Sequence, residues 1–393
     1  MCVAIYIPHT VDLTRGFHSH PSKFRKNPKE MVKLLVSTEV DETVRIAYAY
    51  GLAVKLLPTR STEERVMTLR HLGLGDCQRL AEDFVKPYHH DYLAMYSSVL
   101  GGVVTHPFLM TIPVDDHMVH RGDGIFEAFK CVDGNIYNLR GHLERLGRSS
   151  RGVYLQLPAT PEQITNLVVG TIRIAGARDC VIRLFVSRGP GGFTTNPYEC
   201  PSSQLYIVVC RPSVPPEVQY KRGVAIKSSN IPIKKSFFAN IKSCNYLPNV
   251  LMKKEAVDAG VQYAVSIDEN GFLGEGSTEN IGLVTQNLVL KFPRFSRILK
   301  GTTVTRAAEL ASYLAEQGEL KQVIFEDLTL NEAYTAAEIM LFGTTFDILP
   351  AVEFDGHPIG SGSPGRVYQL MHQLLERDIR SNPDLHTKVF EDA

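Results

Sequence analysis

From residue 92 onward the chain switches between two periods of hydrophobicity. Short apolar runs closed by turn residues predict strands at Leu93–Leu100, Gly101–Thr105, Met110–Pro113, Ile125–Val132 and Asn135–Leu139, with Asp133-Gly134 as a tight hairpin between the last two. Helical spacing follows over Gly141–Gln156, where Leu143, Leu146 and Val153 are core candidates, and over Pro161–Ala175. Val181–Ser187 and Tyr206–Cys210 return to the strand pattern. Arg211-Pro212-Ser213-Val214-Pro215-Pro216 then interrupts it, because adjacent prolines hold the backbone extended. Strand Val224–Ser228 precedes a helix that opens at Asn245-Tyr246-Leu247-Pro248, keeps Leu247, Val250, Leu251 and Ala256 at helical spacing and stops at Gly260. Tyr263–Ile267, a turn at Asn270-Gly271 and Phe272–Glu275 predict a second hairpin. Helix Val304–Gln317, strands Val323–Asp327 and Glu338–Gly343, and an amphipathic helix at Val367–Arg377 complete the pattern.

Residues 1–90 carry helical pieces at Glu42–Leu57 and Thr62–Leu72, separated by Pro58-Thr59-Arg60-Ser61, and no candidate chemistry. The expected organisation is an α/β (α+β) protein in four parts: a mostly helical N-terminal extension (1–90), a small α/β domain (91–210), a linker (211–216) and a large domain (217–393).

Composition narrows the function classes. The 393 residues suffice for two or three domains, and 44% apolar with 21% charged residues is an ordinary globular balance. Lys+Arg and Asp+Glu both number 42, so no net field points to nucleic acid or an anionic membrane. No apolar run has the length of a membrane span. The cysteines, at positions 2, 77, 131, 180, 200, 210 and 244, show neither a C-x-x-C pair nor metal spacing, which predicts reduced thiols inside a cell and no metal site. Met1–Pro8 is apolar without a basic start, so no secretory signal is expected. Residues 13–33 are basic and hydroxylated with few acids, which leaves plastid or mitochondrial targeting open beside the favoured cytoplasm.

Two residues carry the candidate chemistry. Lys242 stands at a helix start and Glu275 at a strand end before Gly276-Ser277, both where loops meet a rigid scaffold. A lysine becomes a nucleophile when desolvated, and a buried carboxylate can keep a ring nitrogen protonated, so the pair suggests a Schiff-base site. By residue type alone, a solvated lysine and a turn carboxylate remain the competing reading.

Four motifs stand in order: His120-Arg121-Gly122-Asp123-Gly124-Ile125-Phe126-Glu127 with His142-Leu143-Glu144-Arg145-Leu146; Lys242 to Leu251 with Gly271 to Ile281; Gly301-Thr302-Thr303; and Glu338 to Thr345 followed by Pro350-Ala351-Val352. Together they resemble the class IV aminotransferases, the fold-type IV pyridoxal-phosphate enzymes. The segments Ala94 to Val104 and Ile112 to Gly124 look most like the plant-type D-amino acid transaminase and aminodeoxychorismate lyase-like branch. The resemblance implies a two-domain, D-amino acid aminotransferase-like fold with pyridoxal 5'-phosphate held between the domains.

It further implies that Lys242 forms the Schiff base and later moves protons, and that Glu275 pairs with the ring nitrogen. Arg145 would take the cofactor phosphate through its planar fork, with Thr302, Thr303, Gly343 and Thr344 adding amides and hydroxyls at two turns. Tyr246 is either the partner of the ring's phenolic oxygen or a core tyrosine. Lys234 and Lys235 lie nearby and are rival nucleophiles, but neither sits in the pattern. Arg306 lies two positions beyond the place where the family often has an arginine. For substrate, Phe126, Arg183, Arg188 and Thr345 are the candidates, with the loop 188–195 expected to border the pocket. The arginine and histidine of bacterial D-amino acid transaminases are replaced here by Phe193 and Thr195. The implied reaction is exchange of an amino group between an amino acid, a D-amino acid first, and a 2-oxo acid in a homodimer. Branched-chain L-amino acids, aminodeoxychorismate cleavage and a non-catalytic cofactor-binding protein are the alternatives.

Overall fold

The computed structural model describes residues 69–232, 234 and 236–391, together with the backbone of two short strands, β1 (Ala47–Ala49) and β2 (Leu52–Val54). The chain forms two compact units, residues 1–76 and 77–393. In the first, β1 and β2 pair antiparallel where the sequence suggested a helical piece; β-branched Val54 and the alanines do not enforce a helical period over so few residues. The helical reading of the rest of 1–68 lies outside the described residues.

The second unit contains two sheets. One is built from β3 (Tyr92–Ser97), β4 (Gly102–Val104), β5 (Gly124–Val132), β6 (Asn135–Tyr137), β7 (Cys180–Ser187) and β8 (Gln204–Cys210). The other contains β9 (Val224–Ser229), β10 (Tyr263–Ile267), β11 (Leu273–Gly276), β12 (Asn280–Val284), β13 (Val289–Pro293), β14 (Gln322–Glu326), β15 (Glu338–Gly343), β16 (Asp347–Phe354) and β17 (His357–Pro358). A last strand, β18 (His386–Lys388), returns to the first sheet, whose order is β18-β6-β5-β7-β8-β3-β4. The order of the second is β11-β10-β9-β16-β15-β12-β13-β14, with β17 beside β16. The return of β18 has no mark in the sequence. Three residues cannot show a period, and what places them is the open edge of β6, where Tyr137, Ile136 and Asn135 face His386, Thr387 and Lys388.

Helices cover these sheets: α1 (Cys77–Phe84), α2 (His117–Arg121), α3 (Leu139–Gly152), α4 (Pro161–Ala175), α5 (Glu217–Arg222), α6 (Ser236–Ala239), α7 (Leu247–Asp258), α8 (Thr302–Glu316), α9 (Leu330–Tyr334) and α10 (Arg366–Ser381). Under α3 and α4, Leu146, Ile164, Val168 and Ile172 pack on Ile125, Phe129, Ile182 and Leu184. On the second sheet, α8 and α10 bury Val304, Ala307, Ala311, Met371 and Leu375 against Phe292, Met340 and Phe342. Both expected hairpins form. Asp133 and Gly134 adopt φ of 51° and 83°, the left-handed pair that matches strand twist, and Asp268 Oδ1 accepts from the amides of Asn270 and Phe272 at 2.9 Å each to close the other turn.

α7 breaks the usual rule of apolar side inward. Leu247 is 68% exposed and Val250 59%, while Asn249, Met252 and Ala256 are buried. Among the described residues no helix is long and apolar enough to cross a membrane, and no group of His, Cys, Asp and Glu is arranged to hold a metal ion.

Candidate active site

The loop between α6 and α7 meets the first sheet at a backbone junction. The amide of Phe126 donates to the carbonyl of Lys242 at 2.9 Å, and that of Cys244 to Gly124 at 2.8 Å, so residues 242–244 run against the start of β5. The Lys242 amide in turn donates to Ser149 Oγ on α3, at 3.1 Å. Tyr246 then opens α7, with Pro248 tolerated in the first turn because no amide partner is lost there. The Lys242 ammonium consequently sits 4.6 Å from the centroid of Phe126 and 5.9 Å from that of Tyr246.

These residues line a cavity of about 230 Å³, against roughly 10–15 Å³ for one water. Phe126, Arg145, Arg183, Lys242, Tyr246, Glu275, Thr302, Thr303, Gly343, Thr344 and Thr345 all border it. The structure therefore brings together every site residue expected from the sequence except Arg188. That arginine is spent elsewhere: Nε and Nη2 donate to Asp123 at 3.0 and 3.1 Å, and Nη1 and Nη2 to the carbonyls of Tyr154 and Val153. No residue of the loop 188–195 lines the cavity, and Phe193 is exposed. Arg306 points its fork at Asp378, at 2.9 and 2.6 Å, and fastens α8 to α10.

The cavity has ends of opposite character. At one, Glu275 on β11 is fixed by Oε2, which accepts from Asn280 Nδ2 at 3.2 Å and the Leu299 amide at 3.1 Å. Its Oε1 has no protein donor among the described residues. Burial pushes the Glu275 carboxyl up to about 7 against the opposing Lys234 charge, the Leu299 N–H and Lys242, so the site favours a cationic hydrogen-bond donor at this carboxylate. Burial, with the Arg145 charge added, pulls the Lys242 ammonium down to about 8, against Glu127 and Glu275.

At the other end two turns converge. Gly301 precedes α8, whose first amides lack helical partners and favour an anion, and Thr303 Oγ1 lies 3.4 Å from Thr344 Oγ1. Both turns are tight around their glycines: a Cβ on Gly301 would run into Asn280 Oδ1, and one on Gly343 would meet the Phe346 ring at 2.6 Å, so either side chain would have to shift. Arg145 completes this end, although its fork is not free. Nε and Nη2 donate to the two oxygens of Glu127 at 2.8 and 2.6 Å, which leaves Nη1, with one long contact of 3.5 Å to the Lys300 carbonyl, for a ligand.

Glu127 and His142 were not singled out from the sequence, though both fall inside quoted motifs. Glu127 alternates with Ile125 and Phe129 on the buried side of β5, where a carboxylate is out of place unless paired. His142 and Arg145 are three apart on α3 and so share a face. His142 Nδ1 lies 2.8 Å from Glu127 Oε2, and its Nε2 lies 3.3 Å from Thr302 Oγ1, linking the arginine to the first turn. Burial alone would raise the Glu127 carboxyl, but the Arg145 charge and hydrogen bonds from Arg145 and His142 hold it down at about 2. Burial pushes the His142 imidazole below its ordinary value.

A nucleophilic amine, a carboxylate with an open oxygen, and an anion cradle of amides, hydroxyls and a guanidinium form the donor set that a phosphorylated, aldehyde-bearing pyridine requires. The comparisons agree with it. The model of the class IV amino-transferases matches residues 124–354. A chloroplastic D-amino-acid transaminase of Arabidopsis thaliana is 38% identical over 293 residues, 74% of this chain and 78% of that protein. A Methanocaldococcus jannaschii protein assigned as a branched-chain-amino-acid aminotransferase is 33% identical, covering 69% of this chain and 91% of its own. Among solved structures, a T.th. branched-chain amino acid aminotransferase with pyridoxamine 5'-phosphate shares the fold at a TM-score of 0.70 and 24% identity, over 76% of this chain and 99% of that one. The chain belongs to the class IV aminotransferases, the pyridoxal-phosphate-dependent family that its four ordered motifs resemble.

Proposed function

We propose that this aminotransferase exchanges the amino group of a D-amino acid, such as alanine or aspartate, with a 2-oxo acid. The placement of Lys242 and Glu275 on one cavity with the two threonine turns supports transamination chemistry, and the D-amino-acid transaminase relative supports the hand of the substrate. When bound, pyridoxal phosphate supplies an aldehyde carbon and a protonated ring that draws electrons from the substrate's α-carbon.

The chain's own residues do the rest. Thr302, Thr303, Thr344, the amides at Gly301 and Gly343, and Arg145 Nη1 would hold the phosphate. Glu275 Oε1 would accept from the ring N–H and keep it charged. Tyr246, whose hydroxyl burial keeps protonated, would donate to the phenolic oxygen. Lys242 Nζ, already easily deprotonated, would take the α-proton and return it to the cofactor's aldehyde-derived carbon, on the far side of the nitrogen. Phe126 and Tyr246, edge to face with centroids 5.0 Å apart, would wall off water beside that amine.

We infer a homodimer as well. The exposed Leu247, Val250 and Leu251 of α7, with Phe237 and Phe238 of α6, offer an apolar face close to the cavity. Functionally the unit divides at 211–216 into a lobe of 91–210 and one of 217–393 whose β18 pairs back to the first, with 1–90 as an extension. The name of the chloroplastic relative supports a plastid location, which a fluorescent fusion tests against cytoplasm.

The carrying experiment follows the visible absorption of the cofactor-loaded protein. D-alanine bleaching the band, with 2-oxoglutarate restoring it, is the expected result. Bleaching by L-leucine and not D-alanine moves the substrate to the branched-chain L-amino acids, and an unresponsive band sinks transamination.

A further inference from the structure

Lys234, between β9 and α6, is one of the two rival nucleophiles that stand outside the family pattern. In the structure it lines the same cavity as Lys242, Glu275 and Thr345. Its ammonium lies 4.9 Å from the centroid of Tyr246, the ring that Lys242 approaches at 5.9 Å. Two ammonium groups thus border one aromatic ring, and only one of them is needed for the cofactor. Two other partly buried lysines in the unit are neutralised, Lys130 by Asp347 at 2.5 Å and Lys291 by Glu326 and Glu332 at 2.5 and 2.9 Å. Among the described residues no carboxylate makes such a pair with Lys234.

A half-buried ammonium without a counter-ion is costly, because the loss of hydration is not offset. Burial pulls Lys234 down from its ordinary value while Glu275 opposes the shift. The cavity is therefore short of one anion beyond the phosphate end, on the side where Lys242 would act. The rival cations are less suited. Arg188 is bound to Asp123, Arg145 to Glu127, and Arg183 is exposed at the cavity's border, where water screens its charge.

We propose that Lys234 receives the α-carboxylate of the substrate, which makes the site selective for amino acids and 2-oxo acids over amines that lack this group. The reading rests on the transaminase function above. A lysine suits the task because its flexible stem lets a point charge follow the carboxylate between the amino-acid and 2-oxo-acid forms.

The test has two arms, both on the cofactor-loaded protein. In the first, kcat/KM of the first half-reaction is compared for alanine, in the hand the enzyme accepts, and for ethylamine. Lys234→Gln lowers the alanine-to-ethylamine ratio by about 10–100-fold, the range for a hydrogen bond to a charged group, and Lys234→Arg recovers most of it. In the second, propionate, which has the carboxylate and no amine, is titrated calorimetrically and binds Lys234→Gln at least about tenfold more weakly. If Lys234→Gln fails to retain cofactor, Lys234→Met, which keeps an apolar stem, replaces it. A ratio and a propionate affinity equal to those of the parent overturn the assignment, as does a ratio that collapses in Arg183→Gln and not in Lys234→Gln. A parent protein that ignores all amino acids defeats the transaminase reading instead, and the propionate arm still decides the role of Lys234.

Discussion

The amide of Phe126 and the carbonyl of Lys242, 116 positions apart in the chain, share a 2.9 Å hydrogen bond. This bond joins the first sheet to the loop that carries the nucleophile, so the Lys242 side chain leaves a fixed backbone. Borohydride treatment of the loaded protein should place the pyridoxyl label on the Lys242 peptide, and Lys242→Ala should carry none.

The cofactor-free protein offers a second reading of the same amine. Acetylation followed by peptide mass spectrometry should reach half its maximal rate at Lys242 near pH 8, because burial and Arg145 disfavour its charged form. Exposed lysines should lag until about pH 10.4. A Lys242 profile that coincides with the surface lysines contradicts the buried site.

Arg145 and Glu127 should behave as one element. With both side chains buried, Arg145→Met strands a carboxylate in the interior and should cost about 3–5 kcal/mol in urea unfolding. Adding Glu127→Gln should recover much of that loss without restoring cofactor affinity. The acid limb has a definite sign: Glu127 is held at about 2 in the folded state, below its ordinary value, so its stabilisation is complete at neutral pH. It is lost as pH falls from about 4.5 towards 2. Glu127→Gln should lack that component.

Glu275→Gln keeps the shape and removes the charge that would hold the ring nitrogen protonated. The half-reaction with amino acid should slow by about 10–100-fold while the label still maps to Lys242. Unchanged kinetics would remove Glu275 from the site.

The exposed face of α7 predicts the assembly state. Sedimentation of the parent should give a dimer, and Val250→Glu, which sets a charge in the middle of that face, should shift the protein towards monomer. Sedimentation of the parent as a monomer contradicts the inferred contact.

Much of this protein was legible in its residue order. The hairpins at Asp133-Gly134 and Asn270-Gly271 are encoded by local φ preferences, and the helices over Leu139–Gly152 and Thr302–Glu316 by periodicity, both of which act over a few residues. The motifs likewise delivered Lys242, Glu275, Arg145 and the threonine turns, which the fold gathers on one cavity. What the order of residues left undecided depends on partners far apart in the chain. Arg183 and Arg188 look alike as sequence, yet one borders the cavity and the other is consumed by Asp123. Glu127 pairs with Arg145 across a strand and a helix, Lys234 meets no carboxylate among the described residues, and the apolar residues of α7 face outward. Local propensity fixes each element, but which charge meets which is a matter of three-dimensional proximity and of water excluded from between them, and that is settled only when the sheets pack.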